Sequence, residues 1–195
     1  VLHGDLTNLG HHAVHAVAAS SAGVDRVVAE IGEVAVEDSE RLVRLAARAR
    51  QALLKAPLPQ WVAAAVRAAY ADLEPLEEET AVAVRSSATA EDLGEASFAG
   101  QQDTYLNVAG GSAVLDAVRS CWASLWTDRA VVYRARNGVD QRQVRISAVI
   151  QRMVPATVSG VLFTANPVTG RRGEFVLDAV PGLGEALVAG RANPD

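Results

Sequence analysis

Residues Val84 to Val108 read V-R-S-S-A-T-A-E-D-L-G-E-A-S-F-A-G-Q-Q-D-T-Y-L-N-V, and no other stretch limits the fold as much. A β-prone run, Thr80–Val84, leads in and presents Arg85, with small hydroxyl residues following at Ser86, Ser87 and Thr89. The acidic pair Glu91 and Asp92 comes next, then a segment rich in Gly, Ser and Ala from Gly94 to Gly100. A second strand-prone run, Asp103–Val108, closes the stretch. A strand, a pliable loop and a returning strand make a backbone that can lie close over a bound group. An arginine and several hydroxyls aimed into that space suit phosphate oxygens, through bidentate charged contacts and neutral donors respectively. Composition alone leaves the plainer alternative open, a surface arginine beside an ordinary Ser/Gly loop.

The chain has 195 residues, enough for one domain or two small subdomains. Half of them are hydrophobic, chiefly Ala and Val, so the core is expected to be built of small side chains. A net charge of −5 argues against a nucleic-acid or acidic-membrane partner while allowing a local basic pocket. Of the 18 basic residues only Lys55 is a lysine. The single cysteine, Cys121, rules out an internal disulfide and fits a cytoplasmic location. No run is long and apolar enough to span a bilayer, and no signal peptide is recognisable. A start at Val1 without Met and an end at Asp195, after a Gly-rich turn, suggest a piece of a longer protein.

All four histidines, His3, His11, His12 and His15, lie in the first 36 residues. A helix would put His11 and His15 on one face, where they could hold a metal, but no acidic third ligand has a useful spacing. A solvated helix is the preferred reading. Asp38 or Ser39 can cap a helix to about Ala56, with Leu42, Leu45, Ala46, Ala49 and Leu53 as its buried stripe. Arg41, Arg44, Arg48 and Arg50 fall mostly off that stripe, as a solvated face or an anion site. Pro57 stops this helix and Pro59 starts another over Gln60–Leu73, with Val62, Val66, Ala69, Tyr70 and Leu73 inward. An acidic loop, Glu74–Glu79, follows. Beyond the central stretch Ser112 can cap a third helix whose stripe is Val114, Leu115, Val118, Trp122, Leu125 and Trp126. Asp128 and Arg129 are expected to tie that helix to its neighbour. Val144–Val154 alternates as a strand, with Ser147, Val149, Gln151 and Met153 on one face, and Val158–Thr164 is expected to return from it as a hairpin. Glu174–Ala179 reads as another strand, and Gly182-Leu183-Gly184-Glu185 as a helix start. A lone G-x-G there is a weak phosphate signal, with helix packing an equal alternative.

Together these blocks, with the runs C-W-A-S-L-W-T-D-R-A-V-V-Y-R, V-I-Q-R-M-V and S-G-V-L-F-T-A-N-P-V-T-G-R-R, resemble the ATP-binding domain of the phosphoenolpyruvate synthase and pyruvate phosphate dikinase family, which includes rifampicin phosphotransferase. The likeness covers about Asp38 to Asp195. It implies an α+β, ATP-grasp-like nucleotide-binding fold, helices followed by antiparallel sheet subdomains. It also implies that ATP with Mg2+ phosphorylates a histidine on a separate swivelling domain, for passage to pyruvate or another acceptor. By position, Arg85 resembles the phosphate-binding arginine, Gly100 and Thr104 loop and strand contacts to the nucleotide, and Gln151 a nucleotide contact, with Met153 or Val154 near the adenine. On this reading residues 1–79 are a mainly helical part, 80–143 the first part of the ATP site and 144–195 a second sheet subdomain.

The departures from the family pattern shape the expected activity. The family's ATP-binding lysine sits in a Gly-rich loop near its N-terminus, which nothing in Val1–Val36 resembles, and Lys55 reads as mid-helix. The family's acidic metal ligands, a further glutamine and arginine, and the carrier-histidine and acceptor-binding domains would lie beyond Asp195. Micromolar binding needs about 8 kcal/mol. Truncating one buried charged contact costs about 2–5 kcal/mol. These 195 residues alone are therefore expected to bind ATP no better than millimolar and to transfer no phosphate. Pyruvate is the first acceptor to consider and a rifamycin-type antibiotic the next. A non-catalytic nucleotide-binding module is the remaining alternative.

Overall fold

Alternation along the strands decides where the core forms. The structure, a computed structural model, describes residues 22–73, 81–88 and 103–191. β1 (Val82–Ala88) lies between β2 (Thr104–Val108) and β3 (Ile146–Arg152), antiparallel to both. Val82 and Val84 of β1, and Ile146, Ala148 and Ile150 of β3, are all at most 2% exposed and form one apolar face. Helices cover that face. α1 (Ala22–Gly32), α2 (Ser39–Lys55), α3 (Gln60–Ala71), α4 (Gly111–Ser124) and α5 (Asp128–Arg136) supply the rest of a single core, with α4 laid directly on the three strands. Helices on one face of an antiparallel sheet make an α+β fold.

Each helix follows from local chemistry. Asp38 caps α2, its carboxylate accepting from the Arg41 N–H at 3.1 Å, and Leu42, Leu45, Ala46, Ala49 and Leu53 are its buried residues, as their spacing predicts. The arginines of α2 belong to a solvated face: Arg44 faces Glu40 at 3.6 Å and Arg48 faces Glu30 at 3.0 Å. Lys55 is the exposed last residue of α2, not a mid-helix position. α3 ends at Ala71, with Val62, Val66, Tyr70 and Leu73 buried and Ala69 only half-buried. The Arg152 guanidinium reaches the Leu73 carbonyl just past that end, where the helix dipole favours a cation. α1 has no counterpart in the sequence reading. His3, His11, His12 and His15 and the loop Glu74–Glu79 lie outside the described residues.

Three expectations need correction here. Ser112 lies inside α4, whose N-cap is Gly110, and the Gly110 N–H donates to the Tyr70 hydroxyl at 2.9 Å. The Trp122–Trp126 run is not one helix. α4 stops at Ser124, and Thr127 caps α5 by accepting from the Ala130 N–H at 3.4 Å. Asp128 and Arg129 are exposed, and the anchoring falls to Arg134, 1% exposed. Its Nε donates to Gln141 Oε1 at 2.6 Å, its terminal nitrogen to the Leu125 carbonyl at 2.6 Å, and its guanidinium stacks 5.3 Å over the Trp126 ring. Burial lowers its pKa to about 10, which leaves it charged at neutral pH.

The chain divides into two compact units, Val1–Met153 and Val154–Asp195. The expected hairpin from Val144 to Thr164 does not form: β3 pairs with β1, whereas β4 (Val158–Phe163) pairs with β5 (Val176–Pro181) in the second unit. The reason lies in what each strand can bury. β3 alternates between buried core residues and half-buried ones, as a strand covered on one side does, whereas Val158 and Leu162 of β4 stay exposed. In the second unit Gly160 is required by close approach, since a Cβ there would lie 2.6 Å from the Asp178 carbonyl. The unit ends its described part with the short helix α6 (Glu185–Val188).

Arg134→Ala leaves the Leu125 carbonyl and the Gln141 amide buried without their donor, and is expected to cost about 3 kcal/mol or more. Arg134→Lys keeps the charge without the planar fork and is expected to lose about half of that. Urea unfolding of both variants against the parent checks this, and a midpoint unchanged in Arg134→Ala would contradict the anchoring role.

Candidate functional site

The face of the first sheet turned away from the helices carries most of the residues singled out in the sequence. β1 does not end at Val84 as its composition suggests. It runs to Ala88, so Arg85, Ser86 and Ser87 are strand residues and not loop residues. Alternation then sorts them, because residues two apart share a face. Ala83, Arg85 and Ser87 face away from the core, and their β3 partners are Gln151, Val149 and Ser147. On the other side Arg85 stands opposite Thr104 of β2. Arg85, Thr104 and Gln151 therefore share one face, with Arg85 and Thr104 directly opposed and Gln151 on the next same-face rung. Arg85 and Thr104 are exposed and Gln151 is half-buried. Among the described residues their side chains have no hydrogen-bond partner, which leaves their donors and acceptors uncommitted.

The pairing of Arg85 with Thr104 depends on a bulge. Val82 pairs with Val108 but Val84 with Tyr105, so β2 spends one more residue than β1 across this step. Asn107, at φ 55°, absorbs it in the left-handed region that Asn tolerates better than most residues. Without the extra residue, Tyr105 would stand opposite Arg85 and Thr104 would turn toward the core. With it, Tyr105 packs inward beside Val84, and its hydroxyl donates to Asp103 Oδ2 at 3.1 Å. Burial, then the Asp103 charge, pushes the Tyr105 pKa up to about 12. Burial and then Asp103 likewise push the Cys121 thiol up to about 12, while its sulfur lies 3.7 Å from the Val84 carbonyl. Asp103 is thus engaged on the inner side of the sheet, and no carboxylate shares the outer face of β1, β2 and β3 with Arg85.

Gly100, with Thr89, Glu91 and Asp92, lies outside the described residues. Met153 ends the first unit, its N–H donating to the Ala81 carbonyl at 2.9 Å, and Val154 is 71% exposed. Gly182 and Gly184 serve packing: Ser159 Oγ donates to the Gly182 carbonyl at 2.7 Å, and a Cβ on Gly184 would lie 3.3 Å from Ser159 Cβ. In the T-A-N-P-V-T-G-R-R loop the polar groups serve the loop itself. Asn166 Oδ1 accepts from the N–H groups of Val168 and Thr169, and Glu174 accepts from Arg171 at 2.9 Å and from Asn166 at 2.8 Å. These bonds, Arg171 first, hold the Glu174 carboxyl below its usual range.

A sheet face with an uncommitted arginine, a threonine hydroxyl and an amide can receive an anionic ligand that also carries hydrogen-bonding groups. The pyruvate phosphate dikinase, AMP/ATP-binding domain family matches residues 9–195. The chain belongs to this family. It is 51% identical over 179 residues to the rifampicin phosphotransferase of Streptomyces sviceus, an overlap of 92% of this chain and 20% of that protein. It is 49% identical over 173 residues to the phosphoenolpyruvate synthase of Pyrococcus furiosus, covering 88% of this chain and 21% of that protein. The rifampicin phosphotransferase of Bacillus subtilis is 52% identical over 160 residues, or 82% and 18%. The chain spans about a fifth of the length of these relatives. The family is named for binding AMP or ATP, ligands that carry both phosphate charge and hydrogen-bonding edges. Magnesium is a different matter. Among the described residues no group of three or more His, Cys, Asp or Glu side chains could hold a metal.

The bulge gives a direct test of how the face is set. Asn107→Val forces a β-branched residue into the left-handed region and is expected to destabilise the protein by about 1–3 kcal/mol. Asn107→Gly meets no such strain and should stay within about 0.5 kcal/mol. Chemical unfolding of the two variants separates them, and equal stabilities would refute the bulge.

Proposed function

We propose that this chain is the ATP-binding part of a dikinase-type phosphotransferase with an ATP-grasp-like fold. In this reading ATP with magnesium phosphorylates a histidine on a separate swivelling domain of the parent chain, and an acceptor-binding domain of that chain takes the phosphoryl group on to pyruvate. Residues 80–143 supply the first part of the site, 144–195 the second, and 1–79 a mainly helical part. Arg85 binds phosphate, Gly100 and Thr104 contact the nucleotide from the loop and from β2, and Gln151 contacts it from β3, with Met153 or Val154 beside the adenine. The observation that carries the proposal is the shared, uncommitted face of Arg85, Thr104 and Gln151 in a member of an AMP/ATP-binding family.

The chemistry assigned to these residues is binding and orientation. A guanidinium gives phosphate two parallel charged hydrogen bonds, and the Thr104 hydroxyl beside it adds a neutral donor. The Gln151 amide can donate and accept at once, which suits a base or ribose edge. Magnesium, when carried by the nucleotide, neutralises phosphate charge, and its protein ligands are assigned to residues other than those described. A second acceptor has support of its own: rifampicin phosphotransferases match this chain as closely as phosphoenolpyruvate synthase does, so a rifamycin-type antibiotic is the alternative to pyruvate. No helix among the described residues is long and apolar enough to cross a membrane. A cytoplasmic setting, without a membrane or nucleic-acid partner, completes the proposal.

Calorimetry of ATP with magnesium on the full-length parent protein tests it. Arg85→Ala is expected to weaken binding about tenfold or more, or about 1.4 kcal/mol. Equal affinities would remove Arg85 from the site. The 195 residues prepared alone are expected to convert no ATP to AMP, and turnover by them would defeat the division of labour proposed here.

A further inference from the structure

The register of β1 with β3 puts a third polar rung on the outer face, beyond Arg85. Ala83 pairs with Gln151, Arg85 with Val149, and Ser87 with Ser147. All six face the same way, because same-face positions recur every two residues in each strand. Ser87 is exposed and Ser147 half-buried. Successive rungs are about 7 Å apart along the strands, so the Gln151 rung and the Ser87–Ser147 rung are separated by about 13 Å. The face is graded along that length. At one end are Gln151 and, two residues on, the apolar Met153. In the middle Arg85 is flanked by Thr104 and Val149, and at the far end two hydroxyls stand opposite each other. No acidic side chain interrupts the series on the three strands.

This grading gives the bound nucleotide a direction, provided that the outer face is the nucleotide site proposed above. An apolar end with an amide suits a base, which buries its rings and satisfies its polar edge. The arginine suits the first charge along the ligand. A phosphate chain that leaves the base and passes over Arg85 has its outermost groups at the Ser87–Ser147 rung. We propose that Ser87 and Ser147 form a second phosphate rung, their hydroxyls donating to the terminal phosphate oxygens of a nucleoside triphosphate. The rung makes the site read phosphate-chain length: a triphosphate reaches it and a monophosphate, held at Gln151 and Arg85, does not. Nothing in the V-R-S-S-A run alone gives Ser147 this place, because it comes from a strand nearly sixty positions on and is set by cross-strand register.

The test is calorimetry on the full-length parent protein with two probes, ATP and AMP, both with magnesium. The variants are the Ser87→Ala/Ser147→Ala double substitution, Ser87→Thr and Arg85→Ala. The double alanine variant is expected to weaken ATP about fivefold or more and AMP by less than about twofold, since the two lost hydroxyls touch only the terminal phosphates. Ser87→Thr keeps a hydroxyl on a strand that favours β-branched residues and is expected to bind ATP like the parent. Equal losses for ATP and AMP would overturn the rung, because they would mean a general disturbance of the sheet. An unchanged ATP affinity in the double variant, with a clear loss in Arg85→Ala, would overturn the rung and leave the nucleotide site standing. An unchanged affinity in Arg85→Ala as well would overturn the site and the rung together.

Discussion

The antiparallel pairing of β1 with β3 governs the first unit, because it fixes two faces at once. One face takes Val82, Val84, Ile146, Ala148 and Ile150 and drives folding by removing apolar surface from water. The other takes Arg85, Ser87, Ser147 and Gln151, of which Arg85 and Ser87 are exposed and Ser147 and Gln151 half-buried. A slip of one residue would bury Arg85 and expose Val84, exchanging a favourable transfer for the burial of an unpaired charge. Core and candidate site are therefore secured by the same register. The helices matter to function mainly because they hold that register: α4 lies on all three strands, and the chain between β2 and α4 is tied to α3 through Gly110 and Tyr70.

Much of this was legible in the residues. The α2 stripe was readable because a helix declares its buried side through spacing alone, and all five of its predicted residues are buried. The faces of β3 were readable for the same reason. Thr104 and Gln151 were named from a resemblance and Arg85 from its strand and loop as well, and their meeting on one face is a property of the sheet that neither stated. What spacing could not show is non-local. The end of β1 was placed too early because V-R-S-S-A is polar and small, and hydrogen bonds to two neighbours extend the strand through it. β3 was joined to β4 because they are adjacent in the chain, whereas partner choice is settled by which face can be covered. The bulge at Asn107 has no signature beyond an Asn in a strand.

Arg134 and Arg85 show why residue type alone could not separate structure from function. Both follow short runs of small or apolar residues, and neither has an acidic neighbour in sequence within two positions. Arg134 falls on the inner side of α5, where a guanidinium can be buried because Gln141, the Leu125 carbonyl and the Trp126 ring satisfy its charge and shape. Its Nε, one terminal nitrogen and one face of its guanidinium are all taken up by the protein, so it serves the fold. Arg85 falls on the outer side of a strand whose next same-face neighbours are Ala, Ser and Thr, too short to reach around it and carrying no negative charge. A sheet built only for stability gains nothing from an arginine there, since an exposed cation without a partner contributes little. Among the described residues nothing offers Arg85 a counter-charge. Arg134 is thus consumed by the packing of α5, whereas Arg85 is left on the surface of the sheet, where the proposed phosphate contact would give its charge a partner.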